Sequence, residues 1–353
     1  MPLLRTALLS LFAVLLGAAP AAAAPGFLGR GHDPGVAVDA AGTAHVAWLA
    51  RAGDAGSLEY CQVRRGTRRC ALRRSIGLPE DGFGKVQVLL RPGIVQIIAP
   101  LLEPAVLATS IDGGNTFALG TIGQETPAIE AAIYGPGDFI SVMSGSGPAS
   151  FGRFSPNGNG PTDLPTTFGS ATESLETTLA SWGNGLVAFF SGLRARSVLW
   201  NGAGDPNLQE SWVEGPRLGR ADIPRAVGGK SGTWVAYVRR GRDRTYVRRL
   251  RSSGRLGAER TLFRDSPFDL TFAQGPRGNM ALVFESGDSA SIVRSRNGRR
   301  WTKPRRLFRG NEPQDMRAAL GPRGGGWLVW DASAGNAGVH PIRIAALPGP
   351  PRR

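Results

Sequence analysis

The stretch Thr233-Trp234-Val235-Ala236-Tyr237 is one copy of the element that decides the fold of this 353-residue chain. It follows a turn of small residues, is apolar at almost every position and ends in a large side chain. Six further segments share this form: residues 43–48, 93–98, 138–142, 185–189, 279–284 and 326–330. Their spacing of about 44 to 50 residues is typical of the blades of a β-propeller.

Turn signals divide each copy into short strands. Pairs suited to tight turns lie beyond each apolar stretch, because Gly, and less readily Asn or Asp, tolerates positive φ; they include Asp112-Gly113, Asn157-Gly158, Asn201-Gly202, Ser253-Gly254 and Asn297-Gly298. No apolar period of 3.6 residues persists for the length of a helix. The sequence therefore predicts an all-β chain, a propeller of seven blades with four antiparallel strands each. Six blades is the alternative, since the second and third copies are the least regular.

The last copy shows only three evident strands, ending near Pro348. We expect the segment around Phe27 and Leu28 to supply the missing outer strand and so to close the ring. Residues 24–353 then form a single domain.

Residues 1–23 have the pattern of a signal peptide: a short basic start, an apolar run too short to span a bilayer, and small residues before the cut. Pro25 places the expected cleavage after Ala23. No later apolar run has the length of a membrane span. The chain is therefore expected to be secreted, extracellular or associated with the cell envelope; a retained anchor is the alternative.

Cys61 and Cys70 are the only cysteines, and they flank a predicted hairpin turn at Arg65-Gly66-Thr67. Paired across that hairpin, their α-carbons could approach to the distance that a disulfide requires. An oxidising compartment favours the bond. A redox-active pair is the weaker alternative, because the spacing is not Cys-x-x-Cys.

One turn carries a motif. The run Ser110-Ile111-Asp112-Gly113-Gly114-Asn115-Thr116-Phe117 fits S-x-D-x-G-x-T-[W/F], and Ser295-Arg296-Asn297-Gly298-Arg299-Arg300-Trp301 is similar to a shortened form. In this the chain resembles the sialidase-like propellers that carry the Asp-box, or BNR repeat. The resemblance implies structural roles, on the face away from any catalytic centre, for these positions: Ser110, Asp112, Gly114, Thr116, Phe117, Ser295, Asn297, Gly298 and Trp301.

The sequence lacks the residue patterns on which several classes of chemistry depend. Three histidines show no metal-ligand spacing, and no G-x-S-x-G elbow is present. Gly228-Gly229-Lys230-Ser231 ends like a Walker A loop, but strands rather than a helix are predicted after it. We expect neither a metal nor another cofactor. His45 lies on a buried strand and is expected to be a core residue.

A propeller binds ligands at the mouth of its channel, which is built from the loops that link blades and from the loops between second and third strands. In this chain those loops offer the candidate binding residues Arg51, Arg194, Arg196, Arg240, Arg242, Glu285 and Asp288. For any one of them, a solvated loop charge is the plainer interpretation.

The sequence thus predicts a binding or scaffold module with its ligand at the channel mouth or on a basic rim. The alternative is a sialidase-like glycoside hydrolase or lyase, and any enzyme would be expected to be an exo-sialidase. Sialidases use a Tyr–Glu nucleophile pair, however, and none of the four tyrosines has an evident Glu partner in the sequence.

The formal charge of +15 is unevenly distributed. Residues 85–193 carry three basic and eight acidic side chains, whereas residues 194–353 carry 30 basic and 13 acidic ones. In a ring this predicts an acidic arc and a basic arc. The basic arc favours an anionic envelope polymer, glycan or lipid surface, with attachment weakened by salt. We expect no specific nucleic acid partner and a monomer.

Overall fold

The computed structural model describes residues 24–52, 55–82, 84–101, 104–123, 129–145, 149–161, 164–168, 176–191, 194–239, 241–310, 312–332 and 340–350. Regular structure within them is almost wholly β, and the helical exceptions are the 3-10 turns Pro136–Asp138 and Gln209–Ser211. Residues 1–23, and with them the predicted signal peptide, lie outside the described residues. No helix in the described ranges is long and apolar enough to cross a membrane.

The strands follow one another in short antiparallel runs. The first repeats contain β1 (Gly26–Val38), β2 (Ala44–Ala52), β3 (Ala55–Val63), β4 (Cys70–Gly77), β5 (Gln87–Arg91), β6 (Ile94–Ala99), β7 (Ala105–Ser110), β8 (Ala118–Ile122), β9 (Ile129–Tyr134), β10 (Ile140–Ser144), β11 (Ala149–Phe154) and β12 (Thr166–Phe168). The middle repeats contain β13 (Thr177–Trp182), β14 (Gly185–Phe190), β15 (Arg196–Trp200), β16 (Val213–Glu214), β17 (Ala221–Val227), β18 (Thr233–Arg239), β19 (Arg242–Leu250) and β20 (Arg260–Phe263). The last repeats contain β21 (Leu270–Gln274), β22 (Met280–Ser286), β23 (Ser289–Ser295), β24 (Arg305–Arg309), β25 (Pro313–Leu320), β26 (Gly326–Ala332) and β27 (His340–Leu347).

Five sheets have four strands each: β5–β8, β9–β12, β13–β16, β17–β20 and β21–β24. The other seven strands form one sheet in the order β25-β26-β27-β1-β2-β3-β4. The prediction of seven separate four-stranded blades, or of six, is therefore wrong in that form. The structure has five such blades, because one long strand joins the first and last repeats into a single sheet.

That strand is β1. Its first half pairs with β27, as at Phe27↔Arg343, and its second half pairs with β2, as at Val36↔Val46. A bulge between His32 and Gly35 separates the two halves. The pairing predicted for the N-terminal segment is confirmed, and it links the start of the described chain to its end.

The sheets surround a channel. Strand β1 contacts β5, and contacts continue from β5 through β9, β13, β17 and β21 to β25, which contacts β1 again. Strands from every repeat line a cavity of about 290 Å³ at the centre. The fold is a β-propeller.

The apolar second strands form the core between neighbouring sheets. Every residue of β14 is buried, as expected for a strand with a sheet on each side. The large residues that end the repeated stretches are buried too, with Trp48, Phe189, Tyr237 and Trp330 each at 0% exposure.

The predicted disulfide is confirmed. Cys61 on β3 and Cys70 on β4 are bonded, with their α-carbons 5.4 Å apart. No free cysteine is present among the described residues.

The Ser110–Phe117 turn, residues 110–117, closes on its own side chains. Asp112 Oδ1 accepts the backbone N–H groups of Asn115 (2.9 Å) and Thr116 (3.0 Å), and Ser110 Oγ accepts that of Gly114 (2.7 Å). Residues 295–301 repeat part of this pattern, since Ser295 Oγ accepts the Gly298 N–H and Asn297 Oδ1 accepts the Arg299 N–H. These hydrogen bonds hold the backbone of the turns.

Two glycines in the Ser110–Phe117 turn allow a matched test. Gly114 has φ +98°, and a Cβ placed there would lie 2.3 Å from the Tyr60 hydroxyl of the preceding repeat. Gly113 has φ +72° and nothing within 4 Å. We expect Gly114→Ala to lower the free energy of unfolding by about 3 kcal/mol, and Gly113→Ala by about 1 kcal/mol, because only the former adds a clash to the backbone strain. Equal losses in urea denaturation would contradict the packing of the turn on Tyr60.

Candidate functional site at the channel mouth

Charged side chains line the channel where the first strand of each repeat begins. Because these strands run in one direction around the ring, their starts share one face of the molecule. A cavity of about 370 Å³ opens there, lined by Lys85, Glu176, Arg225, Phe268, Asp269, Glu285, Gln314, Asp315 and Arg317. Lys85, Arg225 and Arg317 also line the deeper central cavity. The two spaces therefore form one continuous mouth.

One side of the mouth is a chain of ion pairs between repeats. Lys85 Nζ contacts Glu130 and lies 3.3 Å from Glu176 Oε2, which also accepts Arg225 Nη1 at 2.6 Å. Burial works against the charge of Glu176, but Arg225 and Lys85 lower its pKa to about 2. Arg225 Nε donates to the Leu270 carbonyl at 3.1 Å. This side is electrostatically satisfied and rigidly positioned.

The opposite side gathers carboxylates. Burial, and then the nearby charges of Asp315 and Asp33, raise the pKa of Asp331 to about 7. Burial, with Asp33 and Asp269 adding to it, also raises the pKa of Asp315. A carboxyl that lines a cleft and has a raised pKa, as Asp315 does, is typical of functional sites.

Asp33 is the exception among these carboxyls. Burial works against its charge, but His32 Nδ1 lies 2.9 Å from Asp33 Oδ2 and helps to hold the Asp33 pKa below its usual value. Asp269 Oδ2 accepts the Met316 backbone N–H at 2.6 Å. These contacts hold the side chains of Asp33 and Asp269 in place. The ionised form of Asp331, by contrast, is disfavoured by the negative charges of its carboxylate neighbours.

β-Bulges in three of the first strands determine the backbone conformation at the channel mouth. The first strands β1, β17 and β25 each shift register, at residues 32–35, 222–225 and 314–317. Within each bulge a residue other than Gly adopts positive φ: Asp33 (52°), Ile223 (48°) and Asp315 (45°). Such conformations are costly and persist where the surrounding structure enforces them, often next to ligand sites.

Polar groups at the mouth remain unused. Arg317 Nη1 donates to the Met316 carbonyl, but its buried Nη2 has no hydrogen-bond partner among the described residues. The same holds for Asp331 Oδ1 and for His340 Nδ1, which lies 4.0 Å from Asp331 Oδ2. Arg317 lines both cavities and so offers a donor to a ligand, whereas Asp331 and His340 are not among the residues that line them.

The residues predicted to bind are mostly elsewhere. Glu285 lines the mouth. Arg51 is exposed and pairs with Asp81 (3.0 Å), and Asp288 pairs with Arg309 (3.2 Å). The side chains of Arg194, Arg196 and Arg242 are exposed on loops or strand ends. Arg240 lies outside the described residues.

Sequence reasoning missed the residues on the first strands, although a signal was present. In the second to the seventh repeat, a charged residue recurs about every 46 residues just before or within the first strand; the series is Lys85, Glu130, Glu176, Asp222, Asp269 and Asp315. The sequence-based prediction placed the candidate binding residues on the loops between second and third strands instead.

The tyrosines give a correction. Tyr237 does have a glutamate partner, since its hydroxyl donates to Glu259 Oε2. Tyr237 is fully buried, however, and burial together with that hydrogen bond raises the pKa of its phenol. Because it is protonated and out of reach of substrate, this pair lacks the properties of a sialidase nucleophile.

No group of His, Cys, Asp and Glu in the described ranges has the geometry of a metal site. His45 is buried, with its Nδ1 2.7 Å from the Tyr60 hydroxyl and its Nε2 3.5 Å from Asp39 Oδ2. It is a satisfied core residue.

Comparison with known proteins supports the fold. No protein-family model matches the chain, and no curated protein matches its sequence. Among solved structures, the WD40 domain of coronin from Toxoplasma gondii aligns with a TM-score of 0.58 at 10% identity, covering 90% of this chain and 84% of that one. A protein from Lactobacillus plantarum gives 0.55 at 15% identity, covering 79% and 85%. The polysaccharide lyase Uly1 gives 0.53 at 10% identity, covering 90% of each chain. At such identities the likeness shows a β-propeller and no particular activity.

Proposed function

We propose that this protein is a secreted β-propeller that binds a glycan at its channel mouth without changing it. The observation that carries the proposal is the unused Nη2 group of Arg317 in a cavity that basic, acidic and amide side chains line together with the ring of Phe268. Buried polar groups are nearly always hydrogen-bonded, and ligands commonly supply the missing partners. Sugar hydroxyls both donate and accept, which suits this mixture of groups.

The seven-stranded sheet supports the mouth, and we propose that it works as two blades that share β1. Its strands β25 and β1 both contribute first-strand residues to the channel wall. Shared in this way, β1 completes the wall next to Asp33, Asp315 and Asp331. The ring around the ligand then has no open edge.

The basic arc has a separate part in this proposal. Residues 194–353 supply exposed arginines along β19, β20 and β24. They would hold the propeller on an anionic polymer of the cell envelope through charges that salt screens. The mouth would remain free for its own ligand.

A polysaccharide-cleaving activity is the second candidate, because Asp331 has a pKa of about 7 and lies beside His340. A carboxyl that is half protonated near neutral pH is suited to general acid catalysis. Cleavage would proceed without the Tyr–Glu pair of sialidases.

Binding to an array of glycans and cell-wall polysaccharides, with hits quantified by calorimetry, tests the proposal. We expect Arg317→Gln to weaken binding of a hit by about tenfold or more, since hydrogen bonds to charged groups contribute about 1.5–3 kcal/mol. The matched control Arg242→Gln, an exposed arginine of the same charge, should change the affinity less than about twofold.

Three outcomes would overturn parts of the proposal. A larger effect of Arg242→Gln would move the site to the outer loops. Release of reducing ends or unsaturated sugars would establish cleavage. Binding that is restricted to anionic glycans and disappears at high salt would assign it to the basic arc instead of the mouth.

A further inference from the structure

A second pocket lies at the opposite end of the molecule from the mouth. It has a volume of about 190 Å³ and lies between the sheet of β21–β24 and the segment that follows β27, lined by Ile292, Arg294, Thr302, Lys303, Arg305, Pro348 and Gly349. Arg294 is near the end of β23 that pairs with Met280, whereas Glu285 of the mouth is at the other end of β22. The two sites are therefore distinct.

Arg294 is a buried cation without a counter-ion. Its exposure is 4%, and neither its hydrogen bonds nor the charges that shift its pKa include a carboxylate of the described residues. Its Nη1 and Nη2 groups donate to the carbonyls of Pro348 and Gly324, while its Nε has no partner in the part of the chain that the structure describes. Burying a charge unpaired is costly, so an apolar residue would serve better if packing were its only role.

The neighbouring cations increase the cost. Burial, and then the charge of Arg305, lower the pKa of Arg294 to about 10. Arg305 pairs with Ile292 on β23, two residues from Arg294, which places both guanidinium groups on one face of the sheet. Lys303 lies in the connection between them. Residues 289–310 contain eight basic residues and no acidic one.

A hydroxyl completes the lining. Thr302 Oγ1 accepts the Arg294 backbone N–H at 3.0 Å, so its own proton is available to an acceptor in the pocket. The pocket thus presents positive charge and hydrogen-bond donors from several directions. An anion with several acceptor oxygens is the complementary ligand.

We propose that this pocket binds a tetrahedral oxyanion, a phosphate or sulfate group, between Arg294, Lys303 and Arg305. The group is either a free ion or the substituent of a sugar. In either case it supplies the negative charge that none of the described residues places beside Arg294. The proposal does not depend on the ligand of the channel mouth, and it holds whether or not the basic arc attaches to a polymer.

Calorimetry with sodium phosphate and sodium sulfate, at constant ionic strength set with chloride, tests the site. We expect one phosphate or sulfate ion per chain, and a melting temperature that rises with phosphate more than with chloride. Arg305→Met should weaken phosphate binding by about tenfold or more. Its neighbour Arg306→Met removes the same charge from a side chain on the opposite face of β24, outside the pocket, and should change binding less than about twofold.

Equal losses in Arg305→Met and Arg306→Met would overturn the proposal, because diffuse attraction to the basic arc would then explain binding. A melting temperature that responds alike to phosphate and chloride would overturn it as well. Arg294→Met should abolish binding; if that variant fails to fold, the pair at positions 305 and 306 still decides. Glucose 6-phosphate distinguishes the sources: tighter binding than inorganic phosphate indicates a sugar-linked group, and weaker binding a free ion.

Discussion

Deletion of residues 24–31 is expected to lower the melting temperature by about 10 °C or more and to promote aggregation. The deletion removes the half of β1 that pairs with β27, including the buried Leu28. Losing these backbone hydrogen bonds and this apolar burial costs about 5 kcal/mol, which in a domain of this size corresponds to a shift of that order. It also exposes β27 as an unpaired edge strand, a common route to aggregation.

Two point variants distinguish the loss of side-chain packing at Leu28 from the loss of the whole strand segment. Leu28 is 4% exposed and its neighbour Phe27 is 54% exposed. Leu28→Ala should therefore lower the free energy of unfolding by about 2 kcal/mol or more, and Phe27→Ala by less than about 1 kcal/mol. Thermal unfolding of the truncated chain that coincides with that of the intact chain would contradict closure of the propeller by β1.

The natural protein is expected to lose stability as the pH rises, because Asp331 must then ionise while buried. Asp331→Asn is expected to abolish this loss. The folded carboxyl keeps its proton up to a pKa of about 7, whereas the unfolded carboxyl releases it near 3.8. Between these values the folded state binds more protons, so its stability falls with increasing pH. The full span corresponds to at most roughly 4 kcal/mol.

Urea denaturation at several pH values between 4 and 8 measures this effect as a difference between variant and natural protein. The advantage of Asp331→Asn should be small at pH 4 and grow until it levels off above pH 7. Asp288→Asn, an exposed carboxylate paired with Arg309, is the control and should give a difference that changes little with pH. A flat difference curve for Asp331→Asn would show that the mouth carboxylates do not share their charge as described.

The fold was readable from the sequence where local rules dominate. The repeated apolar stretches are buried second strands because a strand between two sheets must be apolar on both faces. Cys61 and Cys70 were predictable because a hairpin fixes their distance. By contrast, the pairing of β1 with both β27 and β2 depends on where the ring closes, which no local pattern encodes.

The candidate site was less predictable for the same reason. Lys85 and Glu176 belong to different repeats, and only the ring brings their charges to 3.3 Å. The bulges that aim Asp33 and Asp315 have no clear sequence signal, since neither position is a glycine. The sequence does not distinguish Arg294 from the other arginines of the basic arc, because its burial depends on tertiary packing.

The pairing of β1 with both β2 and β27 also bears on the order in which the strands pair during folding. The first strand of the folded domain cannot complete its hydrogen bonding until β27, the last strand of the domain to be synthesised, has formed. Contacts of such sequence separation form slowly, because the intervening chain must first be ordered. We therefore expect closure to be a late step of folding, during which one edge of β1 stays unpaired.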